Sequence, residues 1–364
     1  MTRRLLWPSF ALPGAIWLVL LFLVPTYAVL AVAFGTVDPI FSNPVPVWDP
    51  LHWQFDTMRD VLRQLRPGQP FWTVFVRTFV YVAVALAGCL AIGYPVAYYL
   101  SRHAKRTKKL LLVLLIVPFW VSYLMRMLAW VGLLLPDGLV NRALIDIGVL
   151  SHPYGWLDGQ ASSVILALVY GYVPYLILPL YATLDRIERS VLEAGRDLGA
   201  SPLHTFLHVT LPLSKHGIMA ASVLIALPMF GDYYTNDVIS NSPHTSMIGN
   251  QINLFFQEGT EKAVGASLVL VLSLFLAILM SYYLARHARR TKGLLLVLLI
   301  IPFWVSYLMR MLAWIGLLLP DGLVNRVLLN LGILSHPHAW LAGQPSSVMF
   351  ALIYGYVPYM ILPL

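Results

Sequence analysis

Apolar runs of twenty or more residues recur along this chain, and about twenty is what a helix needs to cross a bilayer. Every backbone N–H and C=O in hydrocarbon must be paired, which a helix does within its own segment. Eight spans can be drawn, at roughly 12–34, 73–100, 110–135, 162–184, 216–234, 263–284, 294–319 and 346–364. The expected fold is all-α, a polytopic membrane helix bundle. Composition excludes an ordinary soluble domain. Hydrophobic residues make up 59% and charged residues 11% of the 364, where a soluble domain carries about 25% charged.

The net charge of +8 is informative through its placement. Arg3 and Arg4 precede the first span. Arg102, Lys105, Arg106, Lys108 and Lys109 separate the second and third. Arg186, Arg189, Arg196 and Lys215 lie between the fourth and fifth, and Arg286, Arg289, Arg290 and Lys292 between the sixth and seventh. The alternate connections, 35–72, 136–161, 235–262 and 320–345, are richer in Asp, Trp, Pro and Gly. The positive-inside rule then places the N-terminus and the 185–215 loop in the cytoplasm. Trp48, Trp53, Trp72 and Trp156 fall in or near the outer connections, where interfacial anchors are expected. No basic patch is interleaved with aromatics, so nucleic acid is not an expected partner. Cys89, the one cysteine, lies in an apolar span and has no partner for an internal disulfide. Ala31-Val32-Ala33 has the small-x-small form of a signal-peptide cleavage site. The stretch Leu12–Phe34 is nevertheless long enough to span, and a retained first helix is expected.

A long direct repeat runs through the chain. Tyr98–Leu180 returns as Tyr282–Leu364 at a constant offset of 184, with 18 differences in 83 positions. Pro118 to Arg126 recurs as Pro302 to Arg310, and Tyr170 to Tyr175 as Tyr354 to Tyr359. The offset passes four spans, an even number, so both copies share one orientation. The inverted repeat of many secondary transporters is absent. Tyr282 to His287 matches Tyr98 to His103, so a join of two related sequences at that match would produce this chain. Residues 291–364 read as a truncated repeat of 107–180 that contributes two extra helices.

Between the fourth and fifth spans lies a polar stretch, Glu193-Ala194-Gly195-Arg196-Asp197-Leu198-Gly199-Ala200-Ser201-Pro202, followed by Leu211-Pro212. Leu192 to Leu198 is expected to form a short helix. Gly199 permits a turn, and Pro202 suits the first turn of a second helix, where its missing N–H is not needed. Two short helices at an angle make a compact knob.

Arg126 lies well inside the third span, where a charge costs about 2.5–3.5 kcal/mol on insertion scales and needs a partner or water. Asp232 and Asp237 are the expected partners, with a structural ion pair or snorkelling as the plainer roles. Asp232-Tyr233-Tyr234 and Asn236-Asp237 combine carboxylates with aromatic rings, an environment that suits organic cations. A helix end in the headgroup region would share that composition. Tyr170, Tyr172 and Tyr175 accompany Pro174, which is expected to kink the fourth span. For these tyrosines helix packing competes with lining a path. Ser246–Phe256 is expected to be a short outer helix. The ten histidines show no metal-ligand spacing. No catalytic or nucleotide-binding motif occurs, so neither an enzyme nor a cofactor is expected.

The Glu193 to Pro212 stretch resembles the EAA loop of ABC importer permeases, with Gly195 where that family usually has its second Ala. Leu114 to Trp120 with Arg126, and Leu227-Pro228-Met229 leading to Asp237 and Ile248-Gly249-Asn250, extend the resemblance to the spermidine/putrescine permease group. The resemblance implies a six-helix permease core over 1–290. It implies that the 185–215 loop docks on a separate ATPase through Glu193, Ala194, Gly195, Arg196, Asp197, Gly199, Leu211 and Pro212. It also implies a second permease subunit, an extracytoplasmic solute-binding protein and a bacterial inner-membrane location. Arg126, Tyr170, Asp232, Tyr233 and Asp237 are the candidates for a translocation pathway. Three other outcomes stay open: a different small solute of the same branch, a nonfunctional fusion or truncated permease, and a secondary transporter.

Overall fold

The computed structural model describes residues 23–38, 44–104, 106–258, 261–287, 317–320, 322–344 and 347–349. Residues 12–22 of the first span, most of the seventh and eighth spans, and Arg310 lie outside them. In chain order the helices are α1 (Val24–Ala33), α2 (Asp56–Gln64), α3 (Pro70–Arg102), α4 (Lys108–Trp120), α5 (Tyr123–Leu134), α6 (Leu139–Asp146) and α7 (Ala161–Asp185). Next come α8 (Arg189–Asp197), α9 (Pro202–Thr205), α10 (Leu211–Phe230), α11 (Tyr234–Ile239), α12 (Ile248–Glu258), α13 (Lys262–His287) and α14 (Leu323–Asn330). The chain divides into two compact units, Pro70–Gln251 and the combination of Met1–Gln69 with Ile252–Leu364.

Among the described residues four helical runs are long and apolar enough to cross a membrane: Pro70–Arg102, Tyr123–Asp146, Ala161–Asp185 and Pro202–Phe230. Val24–Ala33 and Lys262–Ile278 are shorter apolar helices. Two expected spans are corrected. The third, drawn as 110–135, is broken into α4 and α5, because Val121 is extended (φ −93°, ψ 124°) and Ser122 follows at ψ 140°. Helical bonding resumes only with the Arg126 amide on the Ser122 carbonyl (3.1 Å). Pro118 lacks the amide hydrogen that a continuous helix needs just before this break. The fifth span, drawn as 216–234, begins earlier and ends earlier: the helical run starts at Pro202 and stops at Phe230.

In the Pro70–Gln251 unit, α7 is flanked by α3 and α10, and its Leu168, Leu176, Leu180 and Leu184 are fully buried. Small residues let the helices approach closely. A Cβ at Gly93 of α3 would lie 2.7 Å from Leu176 Cδ2, and one at Gly217 of α10 would lie 2.3 Å from Thr183 Oγ1. Where lipid tails are as apolar as the side chains, such close packing is a main source of helix association.

A cap follows α5. Gly138 turns the chain (N–H to Leu135 C=O, 2.8 Å), α6 begins, and the buried Asn141 side chain organises the rest. Its Nδ2 donates to the carbonyls of Leu135 (3.0 Å) and Tyr154 (3.1 Å). Its Oδ1 accepts from the Tyr154 amide (3.0 Å) and the Trp156 indole (3.1 Å). In the other unit, Asn325 repeats the pattern with the Leu319 and His338 carbonyls (3.1 and 2.9 Å), the His338 amide (3.0 Å) and the Trp340 indole (3.0 Å). Gly148 and Gly159 (φ 74° and 75°) have Gly332 and Gly343 (69° and 71°) as counterparts. Asn141→Ala would strip a partner from two half-buried donors and two carbonyls. We expect it to destabilise the cap by about 2–3 kcal/mol, read as a fall in the thermal midpoint of Trp156 emission. An unchanged midpoint would contradict the role given to Asn141.

In the other unit α13 packs against α1 and α2. A short antiparallel pairing of two residues each (Thr36–Val37 with Pro44–Val45) is a small addition to the expected mostly helical fold. Beside it in sequence, Trp53 stacks on Phe34 at 5.1 Å and donates its indole N–H to the Val47 carbonyl (2.9 Å). Trp53 and Trp156 therefore spend their indole N–H groups inside the fold, although both were expected as interfacial anchors.

Candidate functional site

The polar stretch folds as two short helices at a sharp turn. Helix α8 ends in a left-handed residue, Gly199 (φ +83°), and the Ala200 amide reaches back to the Gly195 carbonyl at 3.2 Å. This is a Schellman closure, and it favours glycine because a Cβ is strained at positive φ. Ser201 then caps α9, its Oγ accepting from the His204 amide (3.2 Å), with Pro202 in the first turn. Phe206–Thr210 forms a π-helical turn that leads directly into α10. Leu211-Pro212 therefore lies in a continuing helix. The widened turn sits just before Pro212, whose ring would otherwise crowd the preceding turn.

The knob is fixed to α3. Phe206 packs edge-on against Tyr94 (5.8 Å) and Tyr98 (5.5 Å), and the Tyr94 hydroxyl hydrogen-bonds Ser214 (2.8 Å). Its outer side is open. Leu198 is 89% and Leu203 68% exposed, and Glu193, Ala194, Asp197, Gly199 and Pro212 are exposed as well. Neither the Glu193 nor the Asp197 carboxylate has a polar partner among the described residues. The backbone of Arg196 is helical. His204 and His208 stack on each other at 4.0 Å.

Gly195 faces the second helix. A Cβ there would meet Thr205 Cγ2 at 3.6 Å and Val209 Cγ2 at 3.8 Å, ordinary contact distances. Gly195→Ala is therefore expected to stabilise the knob by about 0.5–1 kcal/mol. Slower amide exchange over 189–198 would show it, and faster exchange would count against this packing.

The second cluster is buried where α10 gives way to α11. Gly231 ends α10, and Asp232 occupies the gap with 7% exposure. Its Oδ1 accepts from the Thr235 amide (3.0 Å). Its Oδ2 accepts from the hydroxyls of Tyr123 (2.7 Å), Thr235 (2.7 Å) and Tyr172 (3.2 Å). Arg126 is 5% exposed and does not pair with Asp232, contrary to expectation. Its guanidinium donates weakly to the Gly171 carbonyl (3.4 Å) and the Tyr175 hydroxyl (3.3 Å), and lies over the rings of Tyr123 (5.5 Å) and Tyr175 (5.8 Å). Its Nε has no hydrogen-bond partner among the described residues. The break at Val121-Ser122 explains the difference. It starts α5 at Tyr123, so the tyrosine comes between the two charges, its ring under Arg126 and its hydroxyl on Asp232.

The other candidates separate. Asp237 accepts from Asn250 Nδ2 (2.6 Å), which also donates to the Tyr233 carbonyl (2.5 Å), so both are tied to α12 rather than to Arg126. Tyr170 stacks on Trp130 (4.9 Å, interplanar 10°), apart from the Asp232 hydroxyls. The sequence did not single out Tyr123 or Thr235 as site residues, and it marked Gly249 only through the family resemblance. A Cβ at Gly249 would lie 2.8 Å from the Asp232 and Gly231 carbonyl oxygens, so α12 starts directly against the Asp232 backbone. The segment holding Tyr123 was visible as a repeated one; nothing local marked its hydroxyl.

Residues 89–292 match the family described as the binding-protein-dependent transport system inner membrane component. That stretch is more than half of the chain, and the chain belongs to this family, the permeases of ABC importers that work with an ATPase and a periplasmic binding protein. Its role is transport, not enzymatic catalysis. More particularly, it is a permease of the PotB type. It is 31% identical over 267 residues to the spermidine/putrescine transport system permease protein PotB of Escherichia coli K12, covering 73% of this chain and 92% of that one. PotB of Haemophilus influenzae is 32% identical over 269 residues, covering 73% and 89%. In fold the chain is similar to a bacterial ABC transporter involved in the import of the acidic polysaccharide alginate, with a TM-score of 0.53 at 16% identity over 79% of this chain and 99% of that one. A structure of the alginate transporter with its pentasaccharide-bound periplasmic protein gives 0.58 at 16% identity, over 78% and 95%.

Proposed function

We propose that this permease carries a small organic cation of the polyamine class. The observation that supports this reading best is the buried Asp232 carboxylate with Tyr123 and Tyr172 on it. A carboxylate beside aromatic faces attracts ammonium groups through Coulomb and cation–π terms. In the arrangement described, hydroxyl donors occupy the carboxylate. A solute ammonium would reach Asp232 when α5 parts from the α10–α11 junction and those hydroxyls turn away. Asp232, with Arg126 and Tyr233 nearby and Asp237 holding α12, is our assignment for the pathway, and Tyr170 supports it from outside through Trp130.

In the same proposal residues 1–290 are the working unit, with the N-terminus and the 185–215 loop cytoplasmic. The knob seats in the ATPase through Leu198, Leu203 and the carboxylates of Glu193 and Asp197. A second permease subunit supplies the other half of the pathway. Residues 291–364 repeat 107–180 and are dispensable for transport. Truncation before residue 294 should leave uptake within about twofold of the full chain, a difference of about 0.4 kcal/mol. Loss of uptake on truncation would show that the repeat is needed.

Uptake of labelled spermidine by proteoliposomes holding the full complex tests the solute class. Competition by putrescine, and none by an alginate oligosaccharide, is expected. One observation favours a second reading, an anionic solute: the buried Arg126 guanidinium, among the described residues, meets a carbonyl, a hydroxyl and aromatic rings at 3.3 Å or more in place of a carboxylate. Competition by the acidic oligosaccharide alone would establish that reading and overturn the first.

A further inference from the structure

Where α3 ends and the knob begins, a cleft of about 330 Å³ opens between the α3–α4 turn and the end of α7. Four cations line it, Arg102, Lys108, Arg186 and Arg189, with two carboxylates, Asp185 and Glu188. Most of the negative charge is already engaged. Lys108 Nζ lies 2.9 Å from Asp185 Oδ1, the Tyr181 hydroxyl donates to Asp185 Oδ2 (3.2 Å), and Ser190 donates to Glu188 (3.2 Å). The carbonyls at the end of α7 are also engaged, since Arg102 donates to Leu184 (2.8 Å) and Ile187 (3.0 Å). The Nε of Arg102 is buried without a hydrogen-bond partner among the described residues. Arg186 and Arg189 are exposed, and their side chains make no polar contact with the described residues.

Four cations against two carboxylates leave two positive charges in excess around one small concavity. Three of the four are arginines, whose planar forks suit phosphate oxygens. We infer that this cleft binds a phosphate group. Its depth fits a lipid headgroup. Helix α3 has 33 residues, or about 50 Å at 1.5 Å per residue, enough to cross a bilayer of about 40–45 Å with its headgroups, so a crossing α3 brings Arg102 at its end to the headgroups or just past them. A soluble phosphate would meet the same donors. Arg189 is the first residue of α8, so a bound phosphate ties the root of the knob to the end of α3. The site is independent of which solute the permease carries.

Native mass spectrometry of the full-length chain in detergent tests it, with phosphatidylglycerol as the lipid probe, diacylglycerol as its phosphate-free control, and inorganic pyrophosphate as the soluble probe. Arg186 and Arg189 are exposed, so Arg186→Ala/Arg189→Ala is expected to keep its melting temperature. It should lose at least tenfold in binding of one probe, while Arg186→Lys/Arg189→Lys retains it. The probe affected identifies the source of the phosphate. Equal binding by the alanine variant, loss in the lysine variant, equal binding of diacylglycerol, or no binding of either phosphate probe would overturn the assignment.

Discussion

Replacing Asp232 by asparagine should cut polyamine uptake by about 30- to 150-fold, the equivalent of about 2–3 kcal/mol for one lost charge-assisted contact. The fold should survive the change. The amide oxygen can still accept from the Thr235 amide, and the new NH₂ group can donate to two of the three hydroxyls, with the Tyr123 and Thr235 hydroxyls still bonded to each other. What disappears is the negative charge. Asp232→Ala differs, because it leaves those hydroxyls without their acceptor in a buried site. It should also destabilise the chain by about 3 kcal/mol. The two variants separate charge from packing, with uptake and thermal unfolding measured on both. Asparagine that transports at the wild-type rate would remove Asp232 from the pathway.

The second large effect falls on the knob. Leu198 and Leu203 together should bury two apolar side chains against the ATPase, worth about 1.5–3 kcal/mol each. Leu198→Asp/Leu203→Asp would also bring unpaired carboxylates into the contact. Association with the ATPase, followed by co-purification from detergent, should weaken by about a thousandfold or more, about 4 kcal/mol. Both leucines are exposed, so membrane insertion and thermal stability should not change. Undiminished co-purification would place the docking surface elsewhere.

The expected knob and the structure agree closely because its signals are local. Gly199 at positive φ, Ser201 as a cap and Pro202 in a first turn each follow from one residue's own backbone chemistry. The second, fourth and sixth apolar spans were legible from length and composition, which are also read along the chain. The break at Val121-Ser122 was not, since its neighbours are as apolar as any span interior. That break decides the buried cluster. It puts Tyr123 between Arg126 and Asp232, so two opposite charges that sequence alone would pair share a tyrosine instead. Nor could sequence show that Asn250 would occupy Asp237, because that contact needs α12 to fold back onto the start of α11.

Central to this account is that the knob at 189–210 is the surface through which an ATPase acts on the permease. Cys89, the one native cysteine, is fully buried, so a cysteine at an exposed position can be labelled selectively. Leu203→Cys carrying a photoreactive maleimide should give an adduct of the permease with the ATPase in the assembled complex. Ile147→Cys, equally exposed on the α6 cap, should give none. An adduct from position 147, with none from 203, would contradict the account.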